Sequence, residues 1–112
     1  MISLVIRSVQ PEHVGLLRDW MEQINGRRRD EALATLVDEG CAHERVVLLE
    51  GADGPVIVAV MEVESVERAS NAAQHSSHLI DIEHRAVLRT AIGEQVAYEL
   101  LLDLRHGPSQ EL

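Results

Sequence analysis

The chain has 112 residues, of which 46% are hydrophobic, and a formal net charge of −9; all ten of its basic residues are arginine. This length suits one domain with a modest core, and the acidic balance argues against a nucleic acid or an anionic membrane as partner. The single cysteine, Cys41, excludes an internal disulfide and a cysteine-based zinc site. No segment has the length and apolarity of a membrane span, and the N-terminus has no signal-peptide layout, so we expect a cytoplasmic protein with no membrane partner.

The first part of the chain predicts a strand followed by a broken helix. Residues 2–9 are β-branched and aliphatic, which is typical of a strand. Apolar residues then recur at intervals of three and four over 12–39, the pattern of an amphipathic helix, with a break at Asn25-Gly26 and a cap at Gly40. The residues expected to face the core are Val14, Leu17, Trp20, Met21 and Ile24, then Ala32, Leu33, Leu36 and Val37.

Two apolar runs in the middle of the chain predict a hairpin. Residues 41–50 and 55–64 flank a glycine-bounded acidic loop, Gly51–Gly54, which favours two antiparallel strands. Ser65 is then a candidate N-cap for a short helix.

The last part of the chain predicts a second, longer helix and a final strand. The helix is expected to continue through Ile92 and to be capped by Gly93, and VAYELLLDL at 96–104 is expected to form the last strand. Residues 1–104 are therefore predicted to be a single domain, and 105–112 a frayed tail.

The resulting order, β-α-β-β-α-β, predicts an α+β ferredoxin-like fold with a four-stranded antiparallel sheet and the helices on one face. Both faces of the hairpin strands are apolar, since Val46 and Leu48 alternate with Val47 and Leu49. Strands that are apolar on both faces are covered on both. A second copy of the sheet is the simplest cover for the face without helices, so we expect a homodimer, a dimeric α+β barrel.

The stretch HSSHLIDIEHR, residues 75–85, concentrates groups that can do chemistry. On a helical wheel, His84 lies inside the apolar stripe that faces the sheet, and Asp81 lies on its border. A buried imidazole needs a hydrogen-bond partner. Glu44 on the second strand and Glu62 on the third are candidates, but the face that Glu62 joins depends on a register that the sequence leaves open.

Two interpretations of this stretch remain open. In the functional one, His84, Asp81 and Glu62 are catalytic, and His78, Glu44 and Tyr98 bind a small-molecule ligand. A His–carboxylate pair suits proton transfer on a small carbonyl or phenolic substrate.

The same group also suits a divalent metal such as Zn, Mn or Fe, held by His78, His84 and Glu62. Haem is less favoured, because the chain has only two aromatic residues to enclose a porphyrin.

In the structural interpretation, the polar cluster only fixes the helix on the sheet. His84 then bonds to Glu62, Asp81 pairs with Arg85 one turn later, and the helix begins near His78. The protein would then be a non-catalytic dimeric binding or accessory protein.

The runs VVLLEG, VAVMEVES and HLIDIEHRAVLR, together with RRRDEALATLVDEG, resemble an uncharacterised bacterial family of small domains of unknown function. The most specific piece is His78-x-x-Asp81-x-Glu83-His84-Arg85. That family is similar to the wider dimeric α+β barrel class, which includes antibiotic-biosynthesis-type and haem-degrading monooxygenases. The resemblance implies the fold, the dimer and a small monooxygenase-like or isomerase-like enzyme. It carries over no catalytic residues, because the class is diverse in chemistry.

Overall fold

Strand β1 lies inside a four-stranded sheet, between two strands that come much later in the chain. The computed structural model describes residues 1–107. The strands are β1 (Ile2–Val9), β2 (Cys41–Gly51), β3 (Gly54–Val63) and β4 (Ile92–Gln95). A 3₁₀ turn, Pro11–His13, precedes the helices α1 (Val14–Asn25), α2 (Arg29–Glu39), α3 (Val66–His75) and α4 (Leu79–Ala91).

The sheet order is β2-β3-β1-β4, and every neighbouring pair of strands is antiparallel. Helices α1 and α2 connect β1 to β2, and α3 and α4 connect β3 to β4. The prediction of an α+β chain with a four-stranded antiparallel sheet is therefore confirmed.

The predicted break in the first helical region is confirmed. Helix α1 ends at Asn25, and α2 begins three residues after Gly26. Gly40 then ends α2 with a positive φ of 65°, and its N–H donates to the carbonyl oxygens of Leu36 and Val37. Glycine suits this position because a left-handed backbone is strained for residues with a side chain.

The buried face of α2 differs from the predicted one. Thr35 and Glu39 are buried, whereas Leu33 and Val37 are 45% and 73% exposed. Thr35 tolerates burial because its hydroxyl donates to the carbonyl of Ala32 in the same helix. The expectation that Leu33 and Val37 face the core is wrong.

The last strand lies earlier than predicted. Helix α4 ends at Ala91, and Gly93 lies within β4 instead of capping the helix. A Cβ at Gly93 would overlap with the hydroxyl of Ser8 on the adjacent strand, so glycine at this position leaves room for the Ser8 side chain.

Residues 96–104, predicted as the last strand, have no regular secondary structure. Near their start, the N–H of Val96 still donates to the carbonyl of Ile6 at 2.7 Å. Within the predicted tail, residues 108–112 lie outside the described residues.

The hairpin register decides which side chains face the helices. A two-residue turn separates Gly51 from Gly54, and pairing continues to Glu44 opposite Met61 and His43 opposite Glu62. A β-bulge between Cys41 and His43 then absorbs one extra residue of β2. The helix-facing side of β2 carries Glu44, Val46, Leu48 and Glu50, and the opposite side carries His43, Arg45, Val47 and Leu49.

The core lies between the helices and one face of the sheet. One buried cluster joins the sheet to α1 and α4, and consists of Val9, Leu17, Ile57 and Ala91. A smaller cluster under α3 consists of Cys41, Val63 and Ala69. Within residues 1–107, no helix is long and apolar enough to cross a membrane.

Candidate functional site

A cleft of about 340 Å³ opens between α4 and the sheet. Its floor is apolar, because the helix-facing residues Val5, Val46, Ile57 and Ala59 form it. Polar groups from three elements line the same cleft, namely Arg7 from β1, Glu44 from β2, and His84, Arg85 and Arg89 from α4. An apolar cavity with a few convergent polar groups is the usual form of a small-molecule site.

Trp20 fixes the tautomer of the neutral His84 imidazole. The indole Nε1 of Trp20 lies 2.8 Å from Nδ1 of His84. An indole N–H can only donate, so Nδ1 accepts and the proton of the neutral imidazole lies on Nε2. Burial lowers the pKa of His84, Asp81 opposes this shift and Arg85 adds to it. Nε2 has no partner among residues 1–107, so it is available to a ligand.

Glu44 is the carboxyl group that shares the cleft with His84. It is exposed at the mouth of the cleft, but enough protein surrounds its carboxyl group to raise the pKa, and the charge of Asp81 raises it further. A carboxyl group with a raised pKa is a stronger base when it is ionised.

A second carboxyl group, Glu39 at the end of α2, is buried close to Glu44. Burial raises the pKa of Glu39 to about 7, with further contributions from the charges of Glu44, Asp81 and Asp38. The ionised forms of Glu44 and Asp81 thus disfavour the ionised form of Glu39. The sequence signal for Glu39 is weak: it is the position of this residue at the end of α2, directly before the Gly40 cap and Cys41 of β2.

Arg28 holds Trp20 in place from the outside. Its guanidinium lies 5.6 Å from the centre of the indole ring, within the range of a cation–π contact. It also forms ion pairs with Glu31, at 2.9 Å, and with Glu83 on α4. These hydrogen bonds raise the pKa of Arg28. Arg28 therefore connects α2, α1 and α4 beside His84.

Glu62 lies on the face of the sheet opposite to His84. It is paired with His43 on β2 and Ile2 on β1, both on the side without helices. The hydrogen-bond partner of His84 is Trp20, not Glu62 as the structural interpretation expected. Glu44, the other carboxyl candidate, is on the cleft side. Side chains along β2 alternate between the two faces of the sheet, and Glu44 is in the same set as Val46 and Leu48, which face the helices.

The structure does not bring His78 and Tyr98 into the cleft. His78 Nε2 lies 2.7 Å from Oδ2 of Asp38, which ties the start of α4 to the end of α2. The hydroxyl of Tyr98 donates to the carbonyl of Leu4 at 2.9 Å and is exposed.

The expected pair between Asp81 and Arg85 is also absent among the described ion pairs. Arg85 instead donates to the carbonyl oxygens of Ala73, at 2.7 Å, and Ser76, at 3.0 Å. Arg85 thus satisfies carbonyl groups at and just after the end of α3, where a helix leaves them without partners.

His78, His84 and Glu62 do not converge as a metal site, because each lies in a different place. Within residues 1–107, no group of three or more His, Cys, Asp or Glu side chains could hold a metal ion. The described arrangement is therefore a cleft with one imidazole, one carboxyl group and several guanidinium groups.

Comparison with known proteins places almost the whole chain in one family. Residues 2–108 match the model of a family of unknown function, DUF6176, and the chain belongs to that family. No curated protein matches the chain.

Proposed function

We propose that this member of the family binds a small organic molecule in the cleft between α4 and the sheet and transfers a proton on it. The observation that carries the proposal is the hydrogen bond from Trp20 to Nδ1 of His84. It leaves an oriented Nε2–H in a cleft that Glu44 also lines and that has an apolar floor.

The two polar groups suit different halves of one reaction. The Glu44 carboxylate is the base, and it takes a proton from the carbon next to a carbonyl group of the ligand. His84 donates its Nε2–H to the carbonyl oxygen, where negative charge develops as the C–H bond breaks. A neutral imidazole is suited to this role, since its N–H polarises the carbonyl while the ring carries no charge. Return of the proton to another carbon completes an isomerase-like reaction.

Asp81 adjusts this pair from the first turn of α4. Its charge raises the pKa of Glu44 and opposes the lowering of the pKa of His84. A monooxygenase-like reaction on a phenolic substrate would begin with a different deprotonation, loss of the phenol O–H proton, for which Glu44 would be the base and the Nε2–H of His84 would donate a hydrogen bond to the phenolate oxygen.

Deuterium exchange into simple ketones tests the proposal, with the ketone in place of the natural substrate. Small ketones that bind, as shown by changes in the NMR signal of His84, are incubated with the protein in D₂O. Deuterium at the carbon next to the carbonyl is then measured by NMR. Glu44→Gln is expected to slow the exchange at least 100-fold, consistent with the contribution of a general base.

Glu62→Gln is the matched control, because it removes the same group from the adjacent strand on the opposite face. It should leave the exchange rate unchanged. Equal rates for the wild type, Glu44→Gln and Glu62→Gln would overturn the proposed proton transfer.

A second candidate function is a non-catalytic binding or accessory protein. It is favoured by the contacts of Trp20 with His84 and of Arg28 with Glu83, which join α1 and α2 to α4. In this case His84→Gln and Glu44→Gln would alter ligand affinity or stability, and bound ketones would show no deuterium exchange above the buffer rate.

We also propose a ferredoxin-like single domain, residues 1–104, that forms a homodimer in the cytoplasm. The support is the sheet face without helices, which carries eight aliphatic residues: Ile2, Leu4, Ile6, Val47, Leu49, Val56, Val58 and Val60. A contiguous apolar face of this kind is typical of an interface. Sedimentation equilibrium of wild type and Val58→Glu tests the dimer, with Val37→Glu on exposed α2 as control. A wild-type monomer would overturn it.

A further inference from the structure

The cleft gathers positive charge in a chain that is strongly acidic. Arg7, Arg85 and Arg89 all line it, against a single carboxyl group, Glu44. The chain as a whole carries a net charge of −9. The net charge of the cleft lining is therefore opposite in sign to that of the whole protein, which favours an anionic ligand in the cleft.

Two of these arginines are not neutralised by the protein. Within residues 1–107, neither Arg7 nor Arg89 forms an ion pair. Arg7 donates only to the carbonyl of Gly93, at 3.0 Å, and the exposed Arg89 has no hydrogen-bond partner among these residues. Arg85, in contrast, is occupied by the carbonyl oxygens of Ala73, in the last turn of α3, and Ser76, just after it. Arg7 and Arg89 are therefore the groups available to an anion.

The positions of Arg7 and Arg89 in their elements separate them from the proposed reacting pair. Arg89 follows His84 by five residues of α4, a rise of roughly 7.5 Å along the helix. On the sheet, Glu44 lies in the row of Met61 and Ser3. Arg7 lies four residues further along β1, roughly 13 Å from that row in the strand direction, and two strands from Glu44, roughly 9.5 Å across the sheet. The apolar floor lies between the two ends.

We infer that the cleft takes a small organic monocarboxylate, with its carboxylate bound by Arg7 and Arg89 and its carbonyl or hydroxyl group beside His84 and Glu44. The inference rests on the proposed function, because it assigns the ligand class of the same cleft. Guanidinium groups suit a carboxylate, since their paired N–H donors match its two oxygens. The apolar floor suits the hydrocarbon part of such an acid.

The test compares a charged probe with a neutral one of the same shape. 4-Hydroxyphenylacetate and 4-hydroxyphenylacetamide are each titrated into the full chain at pH 7.5, and the shift of the His84 ring signal gives the Kd. The carboxylate is expected to bind at least tenfold more tightly than the amide. Arg89→Gln should reduce this preference about tenfold, in the range of a hydrogen bond to a charged group.

Arg27→Gln is the matched control, because it removes the same charge from an exposed residue that bonds only to Gln23 one turn earlier. It should leave the preference intact. Equal affinities of acid and amide, or an equal effect of Arg27→Gln and Arg89→Gln, would overturn the inference and leave the ligand cleft standing. If neither probe shifts the His84 signal, both the inference and the proposed ligand cleft are overturned.

Discussion

Nε1 of Trp20 donates a 2.8 Å hydrogen bond to Nδ1 of His84, and this bond joins helix α1 to helix α4. Trp20 is the only tryptophan in the chain. Its fluorescence therefore reports on the one imidazole that lines the cleft, and any change of charge or position at His84 alters the emission of a single fluorophore.

His84→Ala is expected to destabilise the fold by about 1–3 kcal/mol, because it leaves the buried indole N–H of Trp20 without an acceptor. His84→Gln should lose less, since an amide oxygen can accept from the indole. Urea unfolding followed by Trp20 fluorescence measures both. In the Trp20→Phe background the additional loss from His84→Ala should largely disappear; an unchanged loss would show that the bond contributes nothing.

Glu39→Gln is expected to stabilise the protein above neutral pH. The pKa of Glu39 is about 7 in the fold, against an ordinary value of 4.5. The folded chain therefore keeps a proton that the unfolded chain has lost, and the free energy of unfolding falls as the pH rises from 4.5 to 7. At pH 8, where this loss is complete, Glu39→Gln should be more stable than the wild type by about 1–3 kcal/mol.

At pH 4 the two proteins should be equally stable, because Glu39 is then protonated in the fold and largely so in the unfolded chain. Unfolding curves at pH 4, 6 and 8 test this. Glu22→Gln, at an exposed position on α1, serves as the control for the general effect of removing one charge. A gain from Glu39→Gln that is constant across the three pH values would contradict the assignment.

Gly93→Ala is expected to destabilise the protein by about 1–3 kcal/mol, because its Cβ would overlap with the hydroxyl of Ser8. The conflict involves one atom, since the Cβ of Ser8 lies at an ordinary 3.7 Å. Ser8→Ala should therefore rescue most of the loss. Thermal unfolding of the two single variants and the double variant measures the coupling; independent, additive losses would show that the Ser8 hydroxyl is not the atom that excludes a side chain at position 93.

Arg28→Ala is expected to lower the thermal midpoint and to shift the emission of Trp20, because Arg28 contacts the indole and pairs with Glu31 and Glu83. Arg29→Ala is the control from the same run of arginines, since Arg29 is exposed and bonds only to Asn25 at 3.5 Å. Equal effects of the two substitutions on emission would show that Arg28 does not hold the indole.

The sequence predicts the elements better than it predicts their contacts. The apolar periodicity of α4 predicts a sheet-facing His84, and the structure has His84 in the cleft. The leucine-rich segment 96–104 has the composition of a strand, yet strand β4 ends at Gln95. Hydrophobic pattern alone cannot detect that Gly93 must lack a side chain, because that requirement comes from Ser8, which is on the adjacent strand but 85 residues earlier in the sequence.

The partners of the site residues are also beyond sequence reasoning. Trp20 and His84 are 64 residues apart, and their hydrogen bond exists only once two helices are packed side by side. Whether Glu44 or Glu62 faces the cleft depends on the strand register. The hydrophobic pattern cannot fix that register, because β2 has aliphatic residues on both faces: Val46 and Leu48 on the helix side, and Val47 and Leu49 on the opposite side.

In strand β2, hydrophobicity therefore does not decide which set of alternate residues faces the cleft; the number of residues between them and the turn does. The two-residue turn at Ala52-Asp53 determines which face of the sheet each of residues 43–51 is on. Cys41 and Glu44 are three residues apart and would face opposite sides of a regular strand; the bulge between them allows both to face the helices. Removal of Ala42 would eliminate the bulge and leave the faces of residues 43–51 unchanged. Loss of any single residue between Glu44 and the turn would exchange Glu44 for His43 at the cleft, so in this strand a change of length is more consequential than most changes of residue.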